Sequence, residues 1–432
     1  MPQHPSRRGV LRGAAVSALA VGAPALVHTP AHAAVPAGWQ GSVVGRLAPG
    51  LEPFDTAMME LMLAHGIPGA QVAVAMHNKI LAFRSYSLTQ DPAEQVTDTS
   101  VFRIASLSKS VTAAAATRML YSSALSRTET AIPWLGLSPV STKLGEATVQ
   151  RMLRHEGGLG AAEPPENGDL ATYLYLRARG ISASLPPTRA DRLRALEPRT
   201  DAAYGAAGQY AYSNTGYHLL GHLIADAAGV PYETYVQNGI LSPLGITRMR
   251  LGHTTVKAGG EVNYHVPSGT PPATTVMDGS GAKVPAPYGE YNLDGYLGSG
   301  SWLARAVDFL QFMKVMNGTK PTILSQAAVS EIRSRSEAYA PNAASWSGYG
   351  WRVTPFGSSG YISENTGRLN GLLSHAFQWS TGHSVVGIIN KSHFTSVPDL
   401  AAALNKGRSS TDPYAFYQQT DYTPLYFPNA AV

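Results

Sequence analysis

The chain contains no cysteine. That excludes disulfides, a thiol nucleophile and any cysteine-bound metal, so an oxidising compartment would leave the fold dependent on its core alone. Charged residues are also sparse, at 14% against 44% hydrophobic. Past the N-terminal leader no apolar run is long enough to span a bilayer. P-loop and dinucleotide glycine patterns are missing. "GHSVV" carries Val386 where a G-x-S-x-G nucleophile elbow needs glycine. "HEGGL" lacks the second histidine of a zinc-protease helix, and the remaining histidines do not cluster, so a structural role in its turn is expected for His155.

The N-terminus reads as an export leader. Arg7 and Arg8 precede an Ala/Val/Leu stretch that closes on small residues at Ala31 and Ala33, the pattern of a twin-arginine signal cut near Ala33. The formal charge of +5 falls to +2 once Arg7, Arg8 and Arg12 leave, because no acid leaves with them. A surface so near neutrality offers nothing to nucleic acid or anionic membrane. The expected partner is a small-molecule or peptide substrate.

What the sequence does have is pattern. "GAQVAVAMHNKILAFRSYS" (69–87) places two β-rich runs around His77-Asn78-Lys79, a hairpin. "SHAFQWS" and "SVVGIINKS", separated by Thr381-Gly382-His383, make a second. Between them the character is mostly helical, including "GYHLLGHLIADAAG", which stops at Gly229, and an amphipathic helix over 303–318 with Gly318 as its stop. "LAAALNKG" supplies a final helix, and 268–288 a Pro/Gly/Thr-rich loop. Strands at both ends with helices between predict an α/β (α+β) fold in which one sheet, about 45–110 and 290–410, carries an inserted helical part, about 111–289. The aromatic tail 411–432 is expected to pack on its own domain.

Ser-x-x-Lys occurs twice, as Ser106/Lys109 and Ser280/Lys283. The second copy lies among glycines and prolines that fix nothing. The first opens an Ala-rich helical run, "FRIASLSKSVTAAAATRML", where a spacing of three puts both side chains on one helix face. A helix start supplies free N–H groups for an oxyanion, and lysine serves as a base when burial or positive potential lowers its pKa. The same serine would equally make an ordinary N-cap. Tyr212-Ser213-Asn214 precedes a strong helix: a phenol relays protons and an amide holds a lysine and a carbonyl, while Ser-Asn-Thr-Gly is also good turn chemistry. "ENTGRLNG" offers a glycine on a strand, where a substrate backbone approaches closely.

In this order the segments resemble the penicillin-recognising serine hydrolases: class C β-lactamases, secreted D-alanyl-D-alanine carboxypeptidases and related esterases and D-aminopeptidases. The resemblance runs from about Gly69 to Ser392. It takes in "FRIASLSKSVTA", "VQRMLRHEGGL", "YAYSNTGYHLLGHLI", "ILSPLGITRM", "GSGSWLARAVDFLQFM", "YGWRV" and "ENTGRLNG". It implies a β-lactamase/transpeptidase-like fold, mainly an antiparallel sheet flanked by helices. Ser106 would be the acylated residue, Lys109 its proton partner, Tyr212 the general base or acid, and Asn214 a ligand of substrate and lysine. The oxyanion hole would be the N–H groups of Ser106 and Arg368, with Asn365, Thr366 and Gly367 lining the substrate strand. Asn365 stands where the family usually has Lys or His; either Arg368 replaces that cation or the substrate lacks a carboxylate. The function implied is hydrolysis of D-amino-acid peptides or small esters through a Ser106 acyl-enzyme, with no metal or organic cofactor. The alternatives are a β-lactamase, an acyltransferase, or a silent binder of cell-wall peptide.

Overall fold

The computed structural model describes residues 34–160, 168–393, 398–411 and 420–430. The expected leader lies outside the described residues, as does 412–419 of the aromatic tail.

Eight strands form one antiparallel sheet. β1 (Ser42–Leu47), β2 (Gly69–Met76) and β3 (Lys79–Ser87) come from the N-terminal side of the chain. β4 (Trp346–Ser347), β5 (Arg352–Phe356), β6 (Gly360–Leu369), β7 (Leu372–Trp379) and β8 (His383–Ile389) come from the C-terminal side. Their order is β1-β3-β2-β8-β7-β6-β5-β4, so the two halves of the chain meet where β2 pairs with β8. The principal helices are α1 (Glu52–His65), α2 (Ser108–Tyr121), α3 (Asn214–Ala228), α4 (Ala306–Phe312) and α5 (Leu400–Ser409).

The sheet is covered on both faces, which is why β2 is buried from end to end. Val72 and Val74 point into a core shared with Phe54, Met58 and Met62 of α1 and Leu400 and Leu404 of α5. Ala73 and Ala75 point the other way, into the core that holds α2, α3 and α4. Gly407 of α5 lets Phe54 approach, since a Cβ there would stand 2.6 Å from its ring.

Both hairpins form, with tighter turns than expected. His77 (φ 46°) and Asn78 (φ 68°) alone make the first, a left-handed pair that matches the strand twist, so Lys79 begins β3. In the second, Gly382 takes φ 99° and His383 already belongs to β8.

The helix expected over 303–318 is divided. Trp302–Ala304 is a strand, held between Phe102–Arg103 and Arg250–Leu251 in a separate three-stranded sheet. α4 starts only after Arg305, whose backbone N–H is capped by Asp308, and a 3-10 turn over Met313–Asn317 ends at Gly318 (φ 68°). Nor is the segment amphipathic: every residue of α4 is buried, including Gln311. A helix surrounded by protein has no polar face to reveal its period. Among the described residues after α5 is a short helix, Thr423–Tyr426, where Tyr426 packs edge-on against Phe83 and Phe427 is buried.

Candidate active site

Ser106 stands in a 3-10 turn, Ala105–Leu107, immediately ahead of α2. Ala105 holds a left-handed φ of 47°, strain of the kind that collects where a side chain must be aimed. Ser106 makes no capping bond to α2, so the N-cap alternative does not apply. One turn on, Lys109 is 1% exposed within a helix buried on nearly all sides.

The Tyr212-Ser213-Asn214 segment arrives from the start of α3. Ser213 is its N-cap and accepts the Gly216 N–H at 2.9 Å, so the turn-and-cap reading of this stretch is correct for Ser213. That cap leaves its two neighbours facing Ser106. Tyr212 Oη is 2.6 Å from Ser106 Oγ. Lys109 Nζ is 3.0 Å from Ser106 Oγ and donates to Asn214 Oδ1 at 2.7 Å and to the Ser299 carbonyl at 2.7 Å. Ser299 reaches this depth because Gly298 has no side chain: a Cβ there would meet Thr112 Oγ1 and the Tyr217 carbonyl at 2.9 Å.

Of the three atoms just named, only the serine oxygen carries a proton to give; the amide oxygen and the carbonyl only accept. The lone pair of a neutral Lys109 is therefore directed at Ser106. A protonated Lys109 would instead donate to all three, which turns the serine proton toward Tyr212. In both states that proton has an acceptor within 3.0 Å.

His155, expected only to shape its turn, also backs this group. Its ring stacks on Tyr212 with centroids 4.6 Å apart, and its Nδ1 accepts the Ser213 N–H at 3.0 Å. Burial, and secondarily the Lys109 charge, push its pKa down to about 3, so it stays neutral. Its backbone is left-handed (φ 61°), and its carbonyl accepts the Ala211 N–H at 2.8 Å.

The third segment lies on β6. β5 pairs with only the first half of this strand, Gly360–Glu364, and on that side Asn365–Leu369 runs past the Ser106 turn instead of a strand. Gly367 is required here by its own neighbours: its missing Cβ makes room for the Ile104 carbonyl, which it would meet at 2.1 Å. Asn365 turns inward. Its Nδ2 lies 3.1 Å from the Ser106 carbonyl, 2.9 Å from Ser110 Oγ and 3.0 Å from the Gly350 carbonyl. That nitrogen braces the serine's backbone, while the residue also borders the cleft. Thr366 and Arg368 point outward.

The cleft has two lobes that share Tyr212 and Thr366. The smaller, about 340 Å³, contains Ser106, Asn214, Glu290, Tyr296 and Arg368. The larger, about 490 Å³, runs past Lys109 to Tyr210, Tyr339, Trp346, Arg352, Glu364 and His375. Arg368 thus borders a different lobe from Asn365. Glu364 precedes the third motif directly in sequence, but its partners Arg352 and His375 are visible only through strand register. The other Ser-x-x-Lys pair does not assemble: Lys283 bonds Thr274 at 2.6 Å and Ser280 bonds Asp278, both exposed.

An eight-stranded antiparallel sheet between two helical layers, with a Ser-x-x-Lys turn abutting an inner strand, is the β-lactamase/transpeptidase-like fold. The chain matches the β-lactamase family over residues 54–415 and belongs to it. Relatives of this fold include serine hydrolases of the amidase and β-lactamase types. The D-amino acid amidase of Ochrobactrum anthropi SV3 superposes with a TM-score of 0.61 at 20% identity, over 83% of this chain and 98% of that one. A class C β-lactamase does so with 0.62 at 19%, over 84% and 96%. Among curated sequences, an Escherichia coli (strain K12) protein named "Putative D-alanyl-D-alanine carboxypeptidase" is 30% identical over 118 residues. That match spans 27% of this chain and only 25% of the relative's length.

Proposed function

We propose that this protein is an exported serine hydrolase that cleaves ester or amide bonds through an acyl-enzyme on Ser106, with D-amino-acid amides or peptides and small esters as its substrates. The observation that carries this reading is the contact of one hydroxyl with both an amine and a phenol, at 3.0 and 2.6 Å, on the wall of an open cleft. Ser106 Oγ bonds to the acyl carbon as its proton passes to Lys109 or Tyr212. Tyr212 returns a proton to the departing nitrogen or oxygen as the bond to the acyl carbon breaks. Water then repeats the sequence to release the acid. Asn214 and Lys109 hold each other in place, and the N–H groups of Ser106 and Arg368, on segments that abut at Gly367, are the proposed oxyanion donors.

Substrates without a free leaving-group carboxylate are favoured because Asn365 supplies no cation and is spent on the Ser106, Ser110 and Gly350 backbone and hydroxyl. Incubation with 4-nitrophenyl esters and D-amino-acid amides, followed by intact-mass measurement, is expected to show an adduct on Ser106 and turnover that Ser106→Ala abolishes. Equal rates in wild type and Ser106→Ala would refute the enzyme and favour a wall-peptide binder.

A further inference from the structure

We propose that the larger lobe is the leaving-group subsite and that it selects a neutral, ring-bearing leaving group over one carrying a carboxylate; this rests on the acyl-enzyme reading above. Of the groups placed to carry the serine proton, Lys109 borders only the larger lobe and Tyr212 stands between the two, while Ser106 opens on the smaller. As the Ser106 Oγ–acyl bond forms and the acyl–leaving-group bond breaks, the proton that left Ser106 goes to the departing atom by way of Tyr212. With Ser106 and the acyl group on the smaller lobe, that atom leaves across Tyr212 toward Lys109 and the larger lobe.

There it meets the rings of Tyr210, Tyr339 and Trp346, flat walls suited to another ring. It also meets Glu364, which projects from the same face of β6 as Thr366. The Glu364 side chain is only 14% exposed. One of its oxygens accepts from Arg352 Nε at 2.7 Å, and the other faces His375 Nε2 at 3.4 Å. Arg352 thus delivers its charge to Glu364 before any substrate arrives, and hydrogen bonding to Arg352 and His375 outweighs burial to hold the Glu364 carboxyl below its ordinary range. Asn365, the position beside it, lines the same lobe but brings no cation, its Nδ2 being bonded to the Ser106 and Gly350 carbonyls and to Ser110 Oγ. An incoming carboxylate would lose water beside Glu364 and compete for a guanidinium already in use; an uncharged ring does neither.

Two measurements test this. Ser106→Ala protein is titrated with 4-acetamidophenol and with 4-hydroxybenzoate, followed by tryptophan fluorescence. Wild type is assayed on the acetate esters of the same two phenols, each kcat/KM being divided by the ester's alkaline hydrolysis rate. In both, the neutral ring is expected to be preferred by about tenfold or more, the scale of one like-charge contact in a half-screened site. Glu364→Gln should draw both ratios toward unity. Arg352→Gln, at a side chain 63% exposed, should widen them. Equal binding of the two phenols, or ratios that neither substitution moves, would overturn the subsite. A binding preference that persists without any turnover would uphold the charge selection and count against the acyl-enzyme.

Discussion

His155 touches neither Ser106 nor Lys109 in any hydrogen bond described above, yet two of its bonds and one face of its ring hold the segment that carries Tyr212. Two substitutions separate these contributions. His155→Asn keeps an acceptor near the position of Nδ1 and tolerates the left-handed backbone, but removes the ring. It should cost about 0.5–1.5 kcal/mol for the lost stack. His155→Phe keeps a ring but orphans the buried Ser213 N–H, at a cost of about 1–3 kcal/mol. Either change frees Tyr212 to shift, and a displacement of roughly 1 Å in a positioned group is worth on the order of 100-fold in rate. Ester turnover and denaturant unfolding of both variants, alone and combined with Tyr212→Phe, are the measurements. We expect kcat to fall with KM little changed in the single variants. With Tyr212→Phe already present, His155→Asn should have almost no further effect on kcat, because the group it positions is gone. The acid limb of the kcat/KM profile should not move, since His155 is neutral down to about pH 3. Stability losses with unchanged kcat, or fully additive losses in the double variant, would refute the positioning role.

Three further outcomes follow from the same contacts. Gly367→Ala sets a methyl carbon against the Ile104 carbonyl at 2.1 Å, so thermal unfolding should show the roughly 1–3 kcal/mol cost of overpacking and ester turnover should fall with it. Asn365→Asp points an acceptor at the Ser106 and Gly350 carbonyls and should destabilise by about 1–3 kcal/mol in urea unfolding, with lower kcat; unchanged values would show that the brace is idle. His155 and His222 are both pushed down to about 3 by burial, so the unfolded chain takes up their protons first as pH falls. Their contribution to stability should be flat above pH 6.5 and lost below it, by up to about 1.4 kcal/mol per pH unit for each histidine. Urea titrations of wild type and His222→Gln from pH 8 to 4 should show a shallower acid decline in the variant.

Short-range chemistry was legible in the chain itself. The hairpins, the Ser106-to-Lys109 spacing, the Gly229 stop and the dense run of family segments depend on neighbours in sequence, and each could be read without coordinates. Other features misled for an equally physical reason. The 303–318 segment carries apolar residues suited to a helix face, yet Trp302–Ala304 is claimed by strand pairing and the rest is enclosed by protein, so no periodicity marks the boundary. Gly367 was read as room for a substrate backbone, and nothing in the sequence announced that the Ile104 carbonyl also needs that room, because sequence distance hides it. Asn365 announced a missing cation without revealing where its amide would point. The division of the cleft, the pairing of Glu364 with Arg352, and the stacking of His155 on Tyr212 arise from register between strands and from loops converging over one helix. Composition and local spacing determined which groups are present and which are chemically able to act. Which of them touch was decided by tertiary packing, because contacts between residues beyond the reach of a single helix or turn are set by strand register and by how buried surfaces fit, and leave no periodic trace in the chain.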